Sequence, residues 1–267
     1  SDDYAEKDMY SKMVCEAERN KSEIVITGFH MIYFENNRKL DYPVFNKSAV
    51  YDREEFKKAF YELLKKNLLS TPWNKLYLKS FILENGVEFP DKKCEDIYFN
   101  LGLFPDINRI SILEDTPYHW FRSRPGSETA KVYIPDVLWK TKKEVYGGIV
   151  SLCRKWDVFN KDYMSEVNCY YTDRLIQCVQ EIMAFSDYSY NEKRKYIKEM
   201  LYDEITIEAL KIAKPTSVIM KICYVPIKSR NVTLASLMGW LITFVKTNFA
   251  TCFYNLRSKE VHNADVS

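Results

Sequence analysis

Glycine is the first scarcity. The 267-residue chain has seven glycines, at positions 28, 86, 102, 126, 147, 148 and 239, where an average chain of this length carries roughly 19. None belongs to a GxGxxG or a GxxxxGK[ST], so the two glycine-rich cradles for nucleotide phosphates are excluded from these residues. Paired cysteines are lacking too. The seven (15, 94, 153, 169, 178, 223 and 252) are odd in number and scattered, with no CxxC. That excludes a disulfide framework or zinc knuckle and reads as reduced thiols in a cytosolic protein. Charge of one sign is lacking: 39 Lys+Arg stand against 37 Asp+Glu, a net charge of +2. A nucleic-acid partner therefore has no basic stripe to find. A bilayer-length apolar run is also missing. The most apolar stretch, 232–253, holds Gly239, Lys246, Asn248 and several Thr; it reads as a buried or membrane-surface helix. The opening Ser1-Asp2-Asp3-Tyr4 is too acidic and polar for a signal peptide.

What is abundant is aromatic: 20 Tyr, 15 Phe and 5 Trp in a chain that is 46% hydrophobic and 28% charged. These are globular proportions, and the length suits one large or two smaller domains. Helical spacing of Met9, Met13, Val14 and Ala17, with Asp3 three before Glu6 as a capping box, predicts a helix from Tyr4 to Asn20. The β-branched run from Glu23 to Phe34, bent at Gly28, predicts one or two strands. Residues 36–47 read as an irregular hairpin or loop. Asp52 and Glu55 form a capping box for a helix that puts Phe56, Phe60, Leu63 and Leu64 on one face. After the break at Ser70-Thr-Pro72, a short helix is expected from Asn74 to Leu83. Another opens at Glu95-Asp96 and stops before Pro105. Ile110–Leu113 and Tyr118–Arg122 look like strands. Beyond Ser127, helical tracts cover 136–156, 167–185, 191–210 and 234–256. The first half is thus mixed α/β and the second mostly helical.

Three constellations bear chemistry, and each has a plain structural reading beside it. Asp2-Asp3 suits a hard divalent cation or a helix N-cap. Glu95-Asp96 suits a general base or a helix dipole. The segment 118–127, with His119, Arg122, Arg124 and Ser127, suits a diphosphate or a solvated strand and turn.

Their order along the chain is more specific. Asp2-Asp3-Tyr4, Pro72-Trp-Asn-Lys-Leu-Tyr77, Phe89-Pro90, Glu95-Asp96-Ile-Tyr-Phe99 and Tyr118-x-x-x-Arg122 with Ser127 resemble the later part of a bacterial family 2 inverting glycosyltransferase with a GT-A catalytic domain. Enzymes of that type build surface polysaccharides and decorate cell-wall glycans. The resemblance covers about residues 1–130. The implied fold is α/β: the C-terminal, acceptor-side half of a GT-A domain over 1–130, then a mainly α-helical extension over 131–267. The family's metal motif reads Asp-Ser-Asp-Asp, and its leading Asp would precede Ser1. On this reading a nucleotide-binding half of several βαβ units, on the order of 100 residues, lies upstream, and the chain as given would be an inactive truncation.

The resemblance implies transfer of a sugar from a nucleotide-diphosphate donor to a hydroxyl of a glycan or lipid-linked acceptor, with inversion. Asp96 matches the base and Glu95 its supporting carboxylate. Asp2 matches the ligand of Mn²⁺ or Mg²⁺, Asp3 is a weaker match, and His119 stands where some members place a further ligand or a diphosphate contact. Arg122, Arg124 and Ser127 match a loop over the donor diphosphate. Trp73, Asn74 and Lys75 match a segment lining the donor and acceptor sugars, with core burial the competing reading for Trp73.

Residues 131–267 carry no motif tied to chemistry. In related enzymes such an extension serves acceptor recognition, self-association or a peripheral hold on the inner face of the cell membrane. Lys211, Lys214, Lys221, Lys228 and Arg230, ahead of the apolar stretch, would suit that last role. The rival reading of the whole chain is a non-catalytic helical interaction or acceptor-binding module.

Overall fold

The computed structural model describes residues 3–33, 38–42, 47–122 and 135–249. The chain divides into two compact units, 1–132 and 133–267.

The first unit is built on two four-stranded sheets. Strand β1 (Tyr4–Ala5) leads to helix α1 (Met9–Asn20), then β2 (Ile24–Ile26), β3 (Phe29–Tyr33), β4 (Arg38–Tyr42) and β5 (Ala49–Asp52). Helix α2 (Arg53–Lys65), β6 (Lys75–Tyr77), α3 (Lys79–Asn85), α4 (Glu95–Leu103), a 3₁₀ turn (Phe104–Asp106), β7 (Arg109–Ile112) and β8 (Tyr118–Arg122) follow. One sheet runs β5-β7-β2-β6 and the other β1-β8-β3-β4. The parallel pair β2/β7 in the first sheet continues along the chain as the parallel pair β3/β8 in the second. Every residue of β2 is buried, as befits a strand inside a sheet covered on both faces. Against this sheet Phe56, Phe60 and Phe104 form an edge-to-face cluster, with centroids 5.3–6.1 Å apart. Met9 and Met13 of α1 pack with Val25 in a second fully buried group.

Local signals explain much of this. Asp52 caps α2 through the Glu55 N–H, and Glu55 caps back, a complete capping box. Gly86 ends α3 in the left-handed region at φ 59°, where a Cβ would be strained. Two expectations are corrected. The first helix starts at Met9, because Tyr4 and Ala5 are taken as a strand by β8. Asp3 is accordingly no helix cap; its carboxylate accepts the Tyr118 hydroxyl and the Phe121 N–H. The segment 74–83 is not one helix either: Lys75–Tyr77 pairs with β2 as an edge strand, and α3 begins at Lys79. Cross-strand pairing outweighed a weak helical pattern there.

The second unit is helical: α5 (Pro135–Lys155), α6 (Lys161–Ala184), α7 (Tyr190–Leu201), α8 (Glu204–Ile212), α9 (Val218–Lys228) and α10 (Val232–Asn248). Helix α6 is its axis, burying Met164, Val167, Tyr171, Leu175, Val179 and Ile182 at three- and four-residue steps. A buried polar thread accompanies this stripe. The Tyr146 hydroxyl donates to Asn168 Oδ1 at 2.7 Å, the Tyr146 ring stacks on Tyr171 at 4.3 Å, and the Tyr171 hydroxyl meets Thr206 at 3.2 Å. The expected helix over 191–210 is two, because Asp203 caps a new start at Glu204. Helix α9, carrying Pro226 in its interior, had no counterpart in the sequence reading. The end of the expected last helix, 250–256, lies outside the described residues.

Candidate functional site

The motif residues that the structure describes lie in the first unit, on α4, β6, β8 and the segment before β1. Asp96 stands in the first turn of α4, half-buried, with Glu95 exposed beside it. Burial raises the Asp96 carboxyl above its ordinary value, and the charge of Glu95 pushes the same way; the Lys75 ammonium acts against them. A carboxylate raised in this manner is a better proton acceptor at neutral pH than a solvated one.

Helix α4 is held from β6. The Tyr77 hydroxyl donates to Asn100 Oδ1 at 2.7 Å, and Asn100 Nδ2 donates to the Asp96 carbonyl at 2.8 Å. Two residues earlier on the same strand, Lys75 is buried and donates to the carbonyls of Leu68 and Thr71 and to Asn74 Oδ1. Three acceptors match the three protons of an ammonium, while burial pushes its pKa well down. Asn74 is wholly buried; its amide donates to the carbonyls of Thr27 and Leu68, and its oxygen also accepts from Thr71. Asn74 and Lys75 are therefore internal posts, satisfied within the fold. Trp73, which precedes them, is half-buried. Its ring stacks on Tyr118 at 4.4 Å and meets Phe29 edge-on at 4.8 Å.

At the start of the chain, Asp3 accepts the Phe121 N–H at 2.9 Å and the Tyr118 hydroxyl at 3.1 Å, one carboxylate oxygen each. Asp3 is thereby tied to β8, the strand that ends in Arg122. Asp2, Arg124 and Ser127 lie outside the described residues, as does the Arg122 side chain. A divalent cation fits the carboxylate chemistry of this motif, with Asp3 already engaged by two donors.

His119 has different company. Its register partners are Tyr4 on β1 and His30 on β3, and His30 in turn faces Asp41 on β4. The Tyr4 ring stacks on His119 at 4.2 Å, and the two imidazoles lie 4.7 Å apart. Glu6 comes within 3.4 Å of His119 Nε2. Burial holds the His30 pKa below the usual imidazole value, with Asp41 opposing. Sequence reasoning singled out His119 but missed Glu6 and His30. The available signal was scarcity, since the chain has three histidines, two of them in strands; only the sheet brings together positions 89 residues apart.

Among the described residues no helix is long and apolar enough to cross a membrane. Helices α9 and α10 nevertheless expose Val218, Ile222, Val225, Leu237 and Trp240, each at 50% or more.

No family model matches the chain. Curated relatives are glycosyltransferases. The chain is 26% identical over 169 residues to the cholesterol galactosyltransferase of Borreliella burgdorferi, a match covering 60% of this chain and 45% of that protein. It is 24% identical over 137 residues to the Staphylococcus aureus poly(ribitol-phosphate) beta-N-acetylglucosaminyltransferase TarS, covering 50% and 22%. It is 26% identical over 138 residues to EpsJ of Bacillus subtilis, an uncharacterized glycosyltransferase, covering 50% and 39%. The chain thus spans under half the length of these relatives. A crystal structure of S. aureus TarS with UDP-GlcNAc superposes with a TM-score of 0.54 at 14% identity, over 89% of this chain and 64% of that one. The mixed α/β unit and helical C-terminal region are therefore an architecture shared with that glycosyltransferase.

Proposed function

We propose that this chain is part of a glycosyltransferase that moves a sugar from a nucleotide-diphosphate donor to an acceptor hydroxyl with inversion. The observation that carries the reading is Asp96: a half-buried carboxyl in the first turn of α4, its proton affinity raised by burial and Glu95, in a chain whose curated relatives are glycosyltransferases. In this reaction the acceptor hydroxyl gives its proton to the Asp96 carboxylate while its oxygen attacks the anomeric carbon. The bond from that carbon to the diphosphate breaks, and the nucleoside diphosphate leaves. A hydroxyl is a weak acid, so the base works only where oxygen and carbon are held in line.

The other roles follow from chemistry and position. Glu95 keeps the Asp96 pKa up. Asp2 is the carboxylate that would hold Mn²⁺ or Mg²⁺, an ion whose charge neutralises the departing diphosphate. Arg122, Arg124 and Ser127 supply donors to the same diphosphate. Asn74 and Lys75 serve by fixing Trp73 and β6, their own polar atoms being satisfied internally. The GT-A type, the upstream nucleotide-binding half and a lipid-linked or glycan acceptor belong to the same proposal.

The test is donor screening with the protein as its gene encodes it, with Mn²⁺ present, following release of nucleoside diphosphate. Asp96→Asn should lower turnover by 10²-fold or more, on the order expected for loss of a general base, while donor binding persists. Undiminished turnover in Asp96→Asn would remove the base role.

A further inference from the structure

We propose that Glu6, His30 and His119 form a binding site for a transition-metal ion of the zinc type, joining β3 and β8 to the segment that follows β1. The site uses neither Asp2 nor Asp3 and does not depend on the transferase reading.

Three observations carry it. First, one ligand atom from each of Glu6, His30 and His119 lies within 4.8 Å of the others. Ligands ~2.1 Å from a tetrahedral ion stand about 3.4 Å apart, so closure asks for movement of roughly an ångström. Glu6 can supply that movement, because its side chain is half exposed while its backbone N–H is fixed on the Pro117 carbonyl at 2.8 Å. Second, the imidazoles are built in rather than solvated, each side chain being 10% exposed. His119 turns its Nε2 toward Glu6, 3.4 Å from Oε1, so that nitrogen is the one offered to an ion shared with Glu6. Third, His30 already has an outer partner. Its Nδ1 lies 2.6 Å from Asp41 Oδ1 and its Nε2 lies 3.0 Å from the Thr116 hydroxyl. The Asp41 carboxylate on Nδ1 fixes the tautomer whose lone pair is at Nε2, the arrangement found behind metal-bound histidines, and an ion there would take the place of the Thr116 hydroxyl.

Two imidazoles and one carboxylate select against Mg²⁺ and Ca²⁺, which prefer all-oxygen shells, and suit Zn²⁺ with a fourth position left to water. Such an ion would clip Glu6, on the segment just after β1, to β8 and β3, and so brace the strand that begins beside Asp3.

The experiment is calorimetric titration of the purified, metal-stripped chain with Zn²⁺, paired with thermal unfolding and repeated with Co²⁺ as a spectroscopic probe. We expect one zinc bound per chain with a rise in Tm, undiminished by a large excess of Mg²⁺. The cobalt spectrum should be that of nitrogen and oxygen ligands, without thiolate charge transfer, which separates this site from the cysteines. Glu6→Gln, at an exposed position that spares the fold, should weaken zinc about tenfold or more, and Asp41→Asn should weaken it roughly 10-fold through His30. Absence of zinc binding, a thiolate signature in the cobalt spectrum, or equal affinity in Glu6→Gln and the parent would each overturn the proposal.

Discussion

The Tyr77 hydroxyl donates to the Asn100 side chain across 2.7 Å, and the Asn100 amide passes the link to the carbonyl of Asp96. An edge strand thereby fixes the helix turn that carries the candidate base. Burial raises the Tyr77 pKa above the usual phenol range, so the group is a hydrogen-bond donor at neutral pH. Tyr77→Phe should cost about 1–3 kcal/mol, because Asn100 Oδ1 is left buried without its donor. A urea unfolding midpoint that does not move would show that the link carries no stability.

Glu95 and Asp96 are coupled by charge. Removing the Glu95 charge in Glu95→Gln should lower the Asp96 pKa, since one of the influences raising it is gone. If Asp96 is the base, the acid limb of the kcat/KM profile must then shift to lower pH, as the carboxylate survives further into acid. For stability the sign is opposite to that of a salt-bridged carboxylate. A raised pKa means the fold disfavours the charged form, so the Asp96 contribution is present below its unfolded value and lost as pH rises through its folded one. A limb that stays in place or moves upward in Glu95→Gln would contradict the coupling.

Gly239 lets α10 lie against α6. A Cβ there would fall 2.9 Å from both Val179 Cγ1 and the Val179 carbonyl oxygen, and the carbonyl belongs to helix backbone that cannot yield. Gly239→Ala should therefore destabilise the chain by roughly 1–3 kcal/mol, against the usual gain of alanine over glycine inside a helix. Thermal unfolding of the variant decides: an unchanged or higher Tm would mean the two helices separate at little cost.

The thiols divide by burial. Cys153 and Cys178 are buried, and burial pushes their pKa up to about 11 and about 12, so neither forms thiolate near neutrality. Cys15 is exposed. Alkylation of the native chain near pH 8, mapped by mass spectrometry, should mark Cys15 and spare Cys153 and Cys178 until denaturant is added. Labelling of either buried thiol as fast as Cys15 would show that the helical unit opens readily.

How much of this could be read from the residues follows physical range. Interactions within a few residues were legible: the Asp52–Glu55 capping box, the breaks at Pro72 and Pro105, and the amphipathic face of α2. The pairing of Glu95 with Asp96 at a helix start was equally plain. The stretch 74–83 misled because its apolar spacing satisfies a helix while its first residues are held as a strand by β2. Helix α9 went unseen because Pro226 argues against a helix, yet its missing N–H falls late enough for the neighbouring turns to hold.

Composition and motif order set the class of molecule: few glycines, so no glycine-rich phosphate cradle; balanced charge; a mixed first half and a helical second half; and an ordered series of acidic, aromatic and basic motifs. Tertiary structure alone decided which of those residues share an environment. Asp3 became a clamp on β8, Asn74 and Lys75 became buried posts, and His119 found His30 across a strand pair and Glu6 beyond β1. Helix caps and turns are written in adjacent residues, whereas the environment of a side chain is set by strands distant in sequence, and only their register makes neighbours of positions 30 and 119.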